Sequence, residues 1–213
     1  MVTSFKNPFC FYVQESLPTY IDLKQKIQNY YSRKSLVSIK NPQVDQICAA
    51  KYSKDKAWYR AIIKNINYDQ HSILVFLVDY GIDDDIVINE KDINICELFE
   101  EFKEHPIMGL KCSLKGIESI QRNNLNYESL SIPDTVLVNF LGHSQDHYYV
   151  DVNFEQKNEN GDLNSINLNN YLIQNGYVDS TRTNKLKHDV STKTNGKNGF
   201  CFTIKRVLME TLL

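Results

Sequence analysis

The sequence predicts a mainly β protein with a few helices, in which a small antiparallel barrel is inserted into a second β-rich unit that the insertion splits in two. Three observations predict it. Four short β-prone runs, Ile47 to Ser53, Ala57 to Ile66, Ser72 to Asp79 and Ile86-Val87-Ile88, follow one another in about fifty residues, each bounded by polar or charged residues, as in a small barrel. Strand signals recur on both sides of that block. The piece before it, one strand and one helix, is too small to bury a core alone, so it must pair with the piece that follows.

Taken in order, Phe9-Cys10-Phe11-Tyr12-Val13 is aromatic and β-prone, and Pro8 bounds it, so it reads as a strand. From Leu17 to Tyr31 the residues Tyr20, Leu23, Ile27, Tyr30 and Tyr31 recur at intervals of three and four, one face of an amphipathic helix. Asn41-Pro42 is a turn signal that leads into the barrel. After the barrel, Glu97 to Phe102 reads as a short helix stopped before Pro106. Strands are expected over Lys111 to Gly116, Thr135 to Phe140 and Tyr148 to Phe154, the last two joined by the hairpin loop Gly142-His143-Ser144-Gln145-Asp146. Asn167 to Asn175 reads as a helix ended by Gly176, a favoured C-terminal cap. Ser180 to Gly199 is polar and lacks periodicity, which suggests a linker, and the apolar run Phe200 to Leu213 is expected to dock back or to belong to a neighbouring element.

Composition narrows the function. The chain has 213 residues, 42% hydrophobic and 23% charged, with a formal charge of −2, so it lacks the overall positive field that attracts a phosphate backbone. There is no N-terminal apolar run of signal-peptide type and no stretch long enough to cross a bilayer, so the chain reads as soluble and intracellular, with no membrane partner. Cys10, Cys48, Cys96, Cys112 and Cys201 are odd in number and widely spaced, which suggests reduced, buried thiols.

The functional signal lies in the barrel. Ala49-Ala50-Lys51-Tyr52, Trp58-Tyr59-Arg60-Ala61 and Phe76-Leu77-Val78-Asp79-Tyr80-Gly81 have the spacing of consecutive strands that bring aromatic rings to one barrel end. Ring faces attract a positive charge without needing to hydrate it, so such a cluster can hold an alkylated cation. Strand alternation sends Trp58 to the face opposite Tyr59, and hence to the core. Asp79, Asp83, Asp84, Asp85 and Glu90 crowd the turn and, if exposed, would form an acidic rim suited to an arginine-rich peptide. A calcium loop is not indicated, because the consecutive aspartates lack the alternating ligand spacing and the glycine.

In their shared order these residues resemble the extended Tudor domains of germline and RNA-silencing proteins. The similar elements are Pro8 to Gln14, Ala49 to Tyr52, Trp58 to Ala61, Val78-Asp79-Tyr80-Gly81, and the tail with Phe102, Pro106, Cys112, Leu114 and Gly116. The resemblance implies a Tudor barrel at 43–106 set into a split staphylococcal-nuclease-like, OB-type domain made from 1–35 and 107–180, with a linker and C-terminal segment over 181–213. It also implies an aromatic cage for dimethylated arginine in a disordered tail, often that of a Piwi-type Argonaute, and a cytoplasmic place in perinuclear germ granules. Four aromatic positions and one asparagine usually form that cage. They fall here on Tyr52, Tyr59, Leu77, Tyr80 and Ile82, of which Leu77 and Ile82 depart from the pattern.

The departure has a size. An aromatic wall is worth roughly 0.5–2 kcal/mol to a cation, and a desolvated donor left without an acceptor costs about 1–3 kcal/mol. The expectation is therefore a non-enzymatic scaffold module that docks an arginine-containing tail with weak or no dependence on methylation. A groove between the barrel and the split unit offers a second contact surface that needs no methyl group. A symmetric dimethylarginine reader with a partial cage, and a structural or self-associating Tudor unit, are the alternatives.

Other chemistries are poorly supported. His143 and His147 flank the hairpin loop without a cysteine or carboxylate partner set, and Asp151 and Glu155 have no arginine partner, so neither a metal centre nor a nuclease site is indicated. No phosphate loop or nucleophile elbow is present, and no cofactor is expected. Single-stranded RNA binding by the OB-type unit is the remaining rival, through Lys24, Lys26, Arg33, Lys34, Lys185, Lys187, Lys193 and Lys197.

Overall fold

Trp58, Tyr59, Arg60 and Ala61 are all buried, which a strand achieves only when both of its faces are covered. This places β4 (Trp58–Asn67) at the centre of a five-stranded antiparallel sheet in the order β6-β5-β4-β3-β7, with β3 (Ile47–Lys51), β5 (Ser72–Leu77), β6 (Ile82–Val87) and β7 (Ile95–Glu97). The computed structural model describes residues 1–14, 18–33, 35–88, 92–117, 130, 132, 135–158, 161–178 and 201–205.

Inside the curled sheet, Ala50, Tyr59, Ala61, Ile63, Ile73, Val75, Leu77 and Ile86 form the barrel core. On its other face lies helix α1 (Pro18–Arg33), which buries Leu23, Ile27 and Tyr31 against Ala49, Trp58 and Cys96. Each such apolar side chain contributes about 1.5–3 kcal/mol when fully buried. Tyr31 stacks on Trp58 at 5.2 Å. Gln28 accepts from the Trp58 N–H at 2.9 Å and donates to the Trp58 carbonyl at 2.5 Å, continuing the strand's hydrogen bonding into the helix. Trp58 is thus core, as alternation requires.

The chain divides into two units, at 15/16 and at 109/110. Helix α1, grouped at the sequence level with the split unit, gives its apolar face to the barrel unit. The helix expected over Glu97 to Phe102 is the single turn α2 (Glu100–Lys103), and Glu97 belongs instead to β7, which pairs with β3.

The other unit joins the N-terminal segment to the C-terminal part of the chain. Its seven-stranded sheet has the order β1-β2-β8-β10-β9-β12, with β11 also on β10. The strands are β1 (Val2–Asn7), β2 (Cys10–Val13), β8 (Leu110–Leu114), β9 (Thr135–His143), β10 (Tyr148–Lys157), β11 (Leu163–Asn167) and β12 (Cys201–Lys205). The pairing of β2 with β8 is the seam that closes the split expected from strand counting. Helix α3 (Leu168–Gln174) is capped by Asn167, whose side chain accepts from the Asn170 N–H, and the chain leaves it through Gly176 at φ 73°. Strand β12 docks on β9, so part of the apolar tail does return to the sheet; Ser180 to Gly199 lies outside the described residues.

Cys48, Cys96 and Cys112 are buried free thiols, and burial pushes each up to about 12. No helix among the described residues is long and apolar enough to cross a membrane.

Candidate functional site

The turn that carries Tyr80 is held from behind by a buried ion pair. The Arg60 guanidinium meets Asp79 through two bonds, Nε to Oδ2 at 2.9 Å and Nη2 to Oδ1 at 2.6 Å, with both side chains about 5% exposed or less. The remaining guanidinium donors satisfy the carbonyls of Phe102 (3.0 Å), His105 (2.6 Å) and Pro106 (2.7 Å), and the Met108 N–H donates to Asp79 Oδ1 at 2.9 Å. Such full satisfaction is what makes a buried pair tolerable. Two glycines complete the clamp. Gly81 turns at φ 71°, where a side chain would be strained, and a Cβ at Gly109 would lie 2.6 Å from the Val78 carbonyl oxygen.

Against this frame the sheet register assembles the aromatic positions. Tyr59 pairs with Ala50, two residues before Tyr52, and Leu77 pairs with Ile82 across the Tyr80 turn, so Tyr52, Tyr59, Leu77, Tyr80 and Ile82 all collect at one end of the barrel. The Tyr52 and Tyr59 rings meet edge to face at 6.1 Å, and Tyr59 meets Tyr80 in the same way at 5.1 Å. Tyr20 of α1 extends the row, with its ring 6.1 Å from Tyr80. Its helical period marked it as core, and nothing in that period pointed to the barrel mouth.

These rings are packed together. Tyr52, Tyr59 and Tyr80 are 3%, 4% and 5% exposed and Leu77 is wholly buried, while Ile82 is half-buried against the same cluster. Burial raises all three phenols, Tyr80 to about 12 and Tyr59 well above the usual range. Edge-to-face contact at 5.1 Å leaves no room for a guanidinium between Tyr59 and Tyr80 until the rings part.

Two charged groups border the cluster. Lys24 of α1 places its ammonium over the Tyr59 ring, 5.8 Å from the centroid. Asp55, in the β3–β4 loop, accepts from the Tyr59 hydroxyl through Oδ2 at 2.5 Å and from the Ala57 N–H through Oδ1 at 3.0 Å. The loop itself is pinned by the Lys56 N–H to the Tyr52 carbonyl (2.9 Å) and by Ser53, whose N–H and hydroxyl donate to Asp84 at 2.8 and 2.5 Å.

The acidic rim needs correction. Asp79 and Asp84 are 4% and 8% exposed and committed to internal bonds, Asp79 to Arg60 and Asp84 to Ser53. Period two along β6 turns Asp84 inward and leaves Asp83 and Asp85 exposed, so the outward charge is half of that expected from the run. Glu90 lies outside the described residues. Sequence reasoning passed over Arg60, Asp55 and Lys24 as contributors to this region. An arginine inside an apolar strand run was the available signal for Arg60; the other two are solvent-side residues with no pattern of their own.

Elsewhere, His147 Nδ1 lies 2.7 Å from Asp146 and 2.9 Å from Ser144 within the β9–β10 loop, and Asp146 also takes Lys111 at 2.9 Å. Asp151 accepts from Asn167 at 2.6 Å. Of the lysines considered for RNA, Lys26 is ion-paired with Asp22 at 2.8 Å and Lys24 faces Tyr59, while Lys34, Lys185, Lys187, Lys193 and Lys197 lie outside the described residues.

Comparison with known proteins gives a consistent result. The family model described as "Tudor domain" matches residues 1–116. Tudor domain-containing protein 1 from Homo sapiens is 30% identical over 129 residues, which cover 57% of this chain and 10% of that protein. The Tudor and KH domain-containing protein homolog from Drosophila melanogaster is 32% identical over 143 residues, 62% of this chain and 24% of that protein. The chain therefore spans between a tenth and a quarter of the length of these two curated relatives. Among solved structures, the extended Tudor domain TD3 from mouse TDRD1, in complex with a MILI peptide containing dimethylarginine, superposes with a TM-score of 0.67 at 19% identity over 84% of this chain and 90% of that one. The Drosophila melanogaster Papi extended Tudor domain gives a TM-score of 0.62 at 22% identity over 83% and 95%.

Proposed function

This chain belongs to the Tudor domain family, and from that premise we propose that it is a non-enzymatic peptide-binding module that docks an arginine-containing disordered tail with weak or no dependence on arginine methylation. The tail of a Piwi-type Argonaute is the proposed partner, and a cytoplasmic, perinuclear small-RNA silencing granule the proposed setting. The MILI peptide in the mouse relative's complex supports that choice of partner.

The observation that carries the reading is the convergence of Tyr52, Tyr59 and Tyr80 at one barrel end, with a cation already over one of the rings. Weak methyl dependence follows from the same geometry. Parting the rings gives up edge-to-face contacts worth about 0.5–1.5 kcal/mol each, and a guanidinium laid on a tyrosine face returns a similar amount. Leu77 supplies no ring and Ile82 no acceptor, so little remains in the cage to reward methyl groups specifically.

Calorimetric titration of one unmodified and one symmetrically dimethylated arginine peptide against the protein and its Tyr80→Ala variant tests this. Comparable binding of both peptides, weakened by Tyr80→Ala, is expected. A clear preference for the modified peptide refutes methyl independence and makes the module a dimethylarginine reader with a partial cage. Binding of neither peptide favours a structural or self-associating unit, a second reading that draws on the near-complete burial of the three rings.

A further inference from the structure

An arginine that enters this site must find an acceptor for its N–H groups, and the asparagine that supplies one in the family pattern is Ile82 here. A desolvated guanidinium without an acceptor binds poorly, so the peptide-binding reading above, on which this inference rests, needs another group. The available acceptors are the atoms that border the three tyrosines.

Asp79 and Asp84 are spent on Arg60 and Ser53 and face inward. Asp83 and Asp85 lie on the outward face of β6. Asp55 bonds a ring of the cluster directly, through the Tyr59 hydroxyl at 2.5 Å. Its reach extends further than that one bond. Behind burial, which dominates, the charge of Asp55 also contributes to the upward shift of Tyr52, Tyr59 and Tyr80 alike, as expected of a carboxylate placed near all three hydroxyls.

The group is also held in place. Oδ1 is fixed by the Ala57 N–H and Oδ2 by the Tyr59 hydroxyl, within a loop pinned by backbone and Asp84 bonds. Each oxygen has used one lone pair and keeps a second, so the carboxylate can still accept two more bonds. That is the acceptor capacity a guanidinium fork uses. The residue is exposed, so an incoming guanidinium can reach it.

We propose that Asp55 is the arginine acceptor of this site, its carboxylate taking a forked pair of N–H bonds from an unmodified guanidinium beside the Tyr59 ring. An unmodified guanidinium offers five N–H donors; symmetric dimethylation replaces one on each terminal nitrogen and leaves three, so fewer of its edges can present two N–H groups to the carboxylate. The acceptor therefore offsets what preference for methyl groups the three rings retain, and the weak methyl dependence of the module has a positive cause in Asp55 besides the losses at Leu77 and Ile82.

The test is titration of the unmodified and the symmetrically dimethylated peptide against the wild-type chain, Asp55→Ala and Asp55→Asn, with circular dichroism melts to establish that each variant is folded. Asp55→Ala is expected to weaken the unmodified peptide about tenfold or more, the loss of a charged hydrogen bond, and the dimethylated peptide by less than about threefold. Asp55→Asn keeps one acceptor oxygen without the charge and should fall between wild type and Asp55→Ala for the unmodified peptide. If the wild-type chain binds the peptides and Asp55→Ala binds the unmodified one as tightly, the acceptor role is overturned while the peptide-binding reading stands. Equal weakening of both peptides overturns the selectivity. Failure of the wild-type chain to bind either peptide overturns the peptide-binding reading and this inference with it.

Discussion

Replacing Arg60 by methionine removes a guanidinium that five acceptor contacts surround, and leaves the Asp79 carboxylate 4% exposed with the Met108 N–H as a remaining donor. Breaking one partner out of a buried ion pair costs about 3–5 kcal/mol. The carbonyls of Phe102, His105 and Pro106 lose their shared donor at the same time, which places Arg60→Met at the upper end of that range. For a chain of this length the melting temperature falls by about 2–4 °C per kcal/mol, or roughly 10–20 °C in all. Urea denaturation of wild type, Arg60→Met, Asp79→Leu and the double variant gives the coupling directly. The double variant should recover much of the loss, because the uncompensated charge is then gone. A loss under about 1 kcal/mol for Arg60→Met, or a double variant whose loss is the plain sum of the two single losses, would refute the view that this pair holds the Tyr80 turn.

Two further outcomes are expected. The phenols of Tyr31, Tyr52, Tyr59 and Tyr80 are all raised, first by burial, so above pH 10 the unfolded chain releases protons that the folded chain retains, and stability is lost as pH climbs from there. Absorbance titration at alkaline pH should show these four of the 13 tyrosines ionising only as the fold is lost, and reversible ionisation of every tyrosine near pH 10 with the fold intact contradicts this. Lys24→Ala removes the ammonium over Tyr59, the position an incoming guanidinium would take, so arginine peptides should bind about two- to tenfold more tightly by calorimetry; unchanged or weaker binding shows that Lys24 does not compete.

Strand runs, helix period and turn residues made the two units legible, since each is a local consequence of which residues avoid water. The runs at Ile47 to Ser53, Ala57 to Ile66 and Ser72 to Asp79 reappear as β3, β4 and β5, and the Leu17 to Tyr31 period as α1. Val2 to Asn7 and Leu163 to Asn167 carry little β signal; they are strands because Cys10–Val13 and Tyr148–Lys157 offer them edges to pair with. The same partner effect took Glu97, the first residue of the helix expected over Glu97 to Phe102, into β7.

At the candidate site the division is sharper. Sequence alone determined that tyrosines would meet at one barrel end, because strand period and register are local properties written in the alternation of Trp58 with Tyr59 and in the Asp79-Tyr80-Gly81 turn. Only the tertiary structure decided that Asp79 and Asp84 face inward and that Tyr20 and Lys24 arrive from a helix. The reason is that a charge belongs to whichever partner lies within about 3 Å of it in space, and partners separated by 19, 31 or more positions are brought there by the packing of elements that no local pattern encodes.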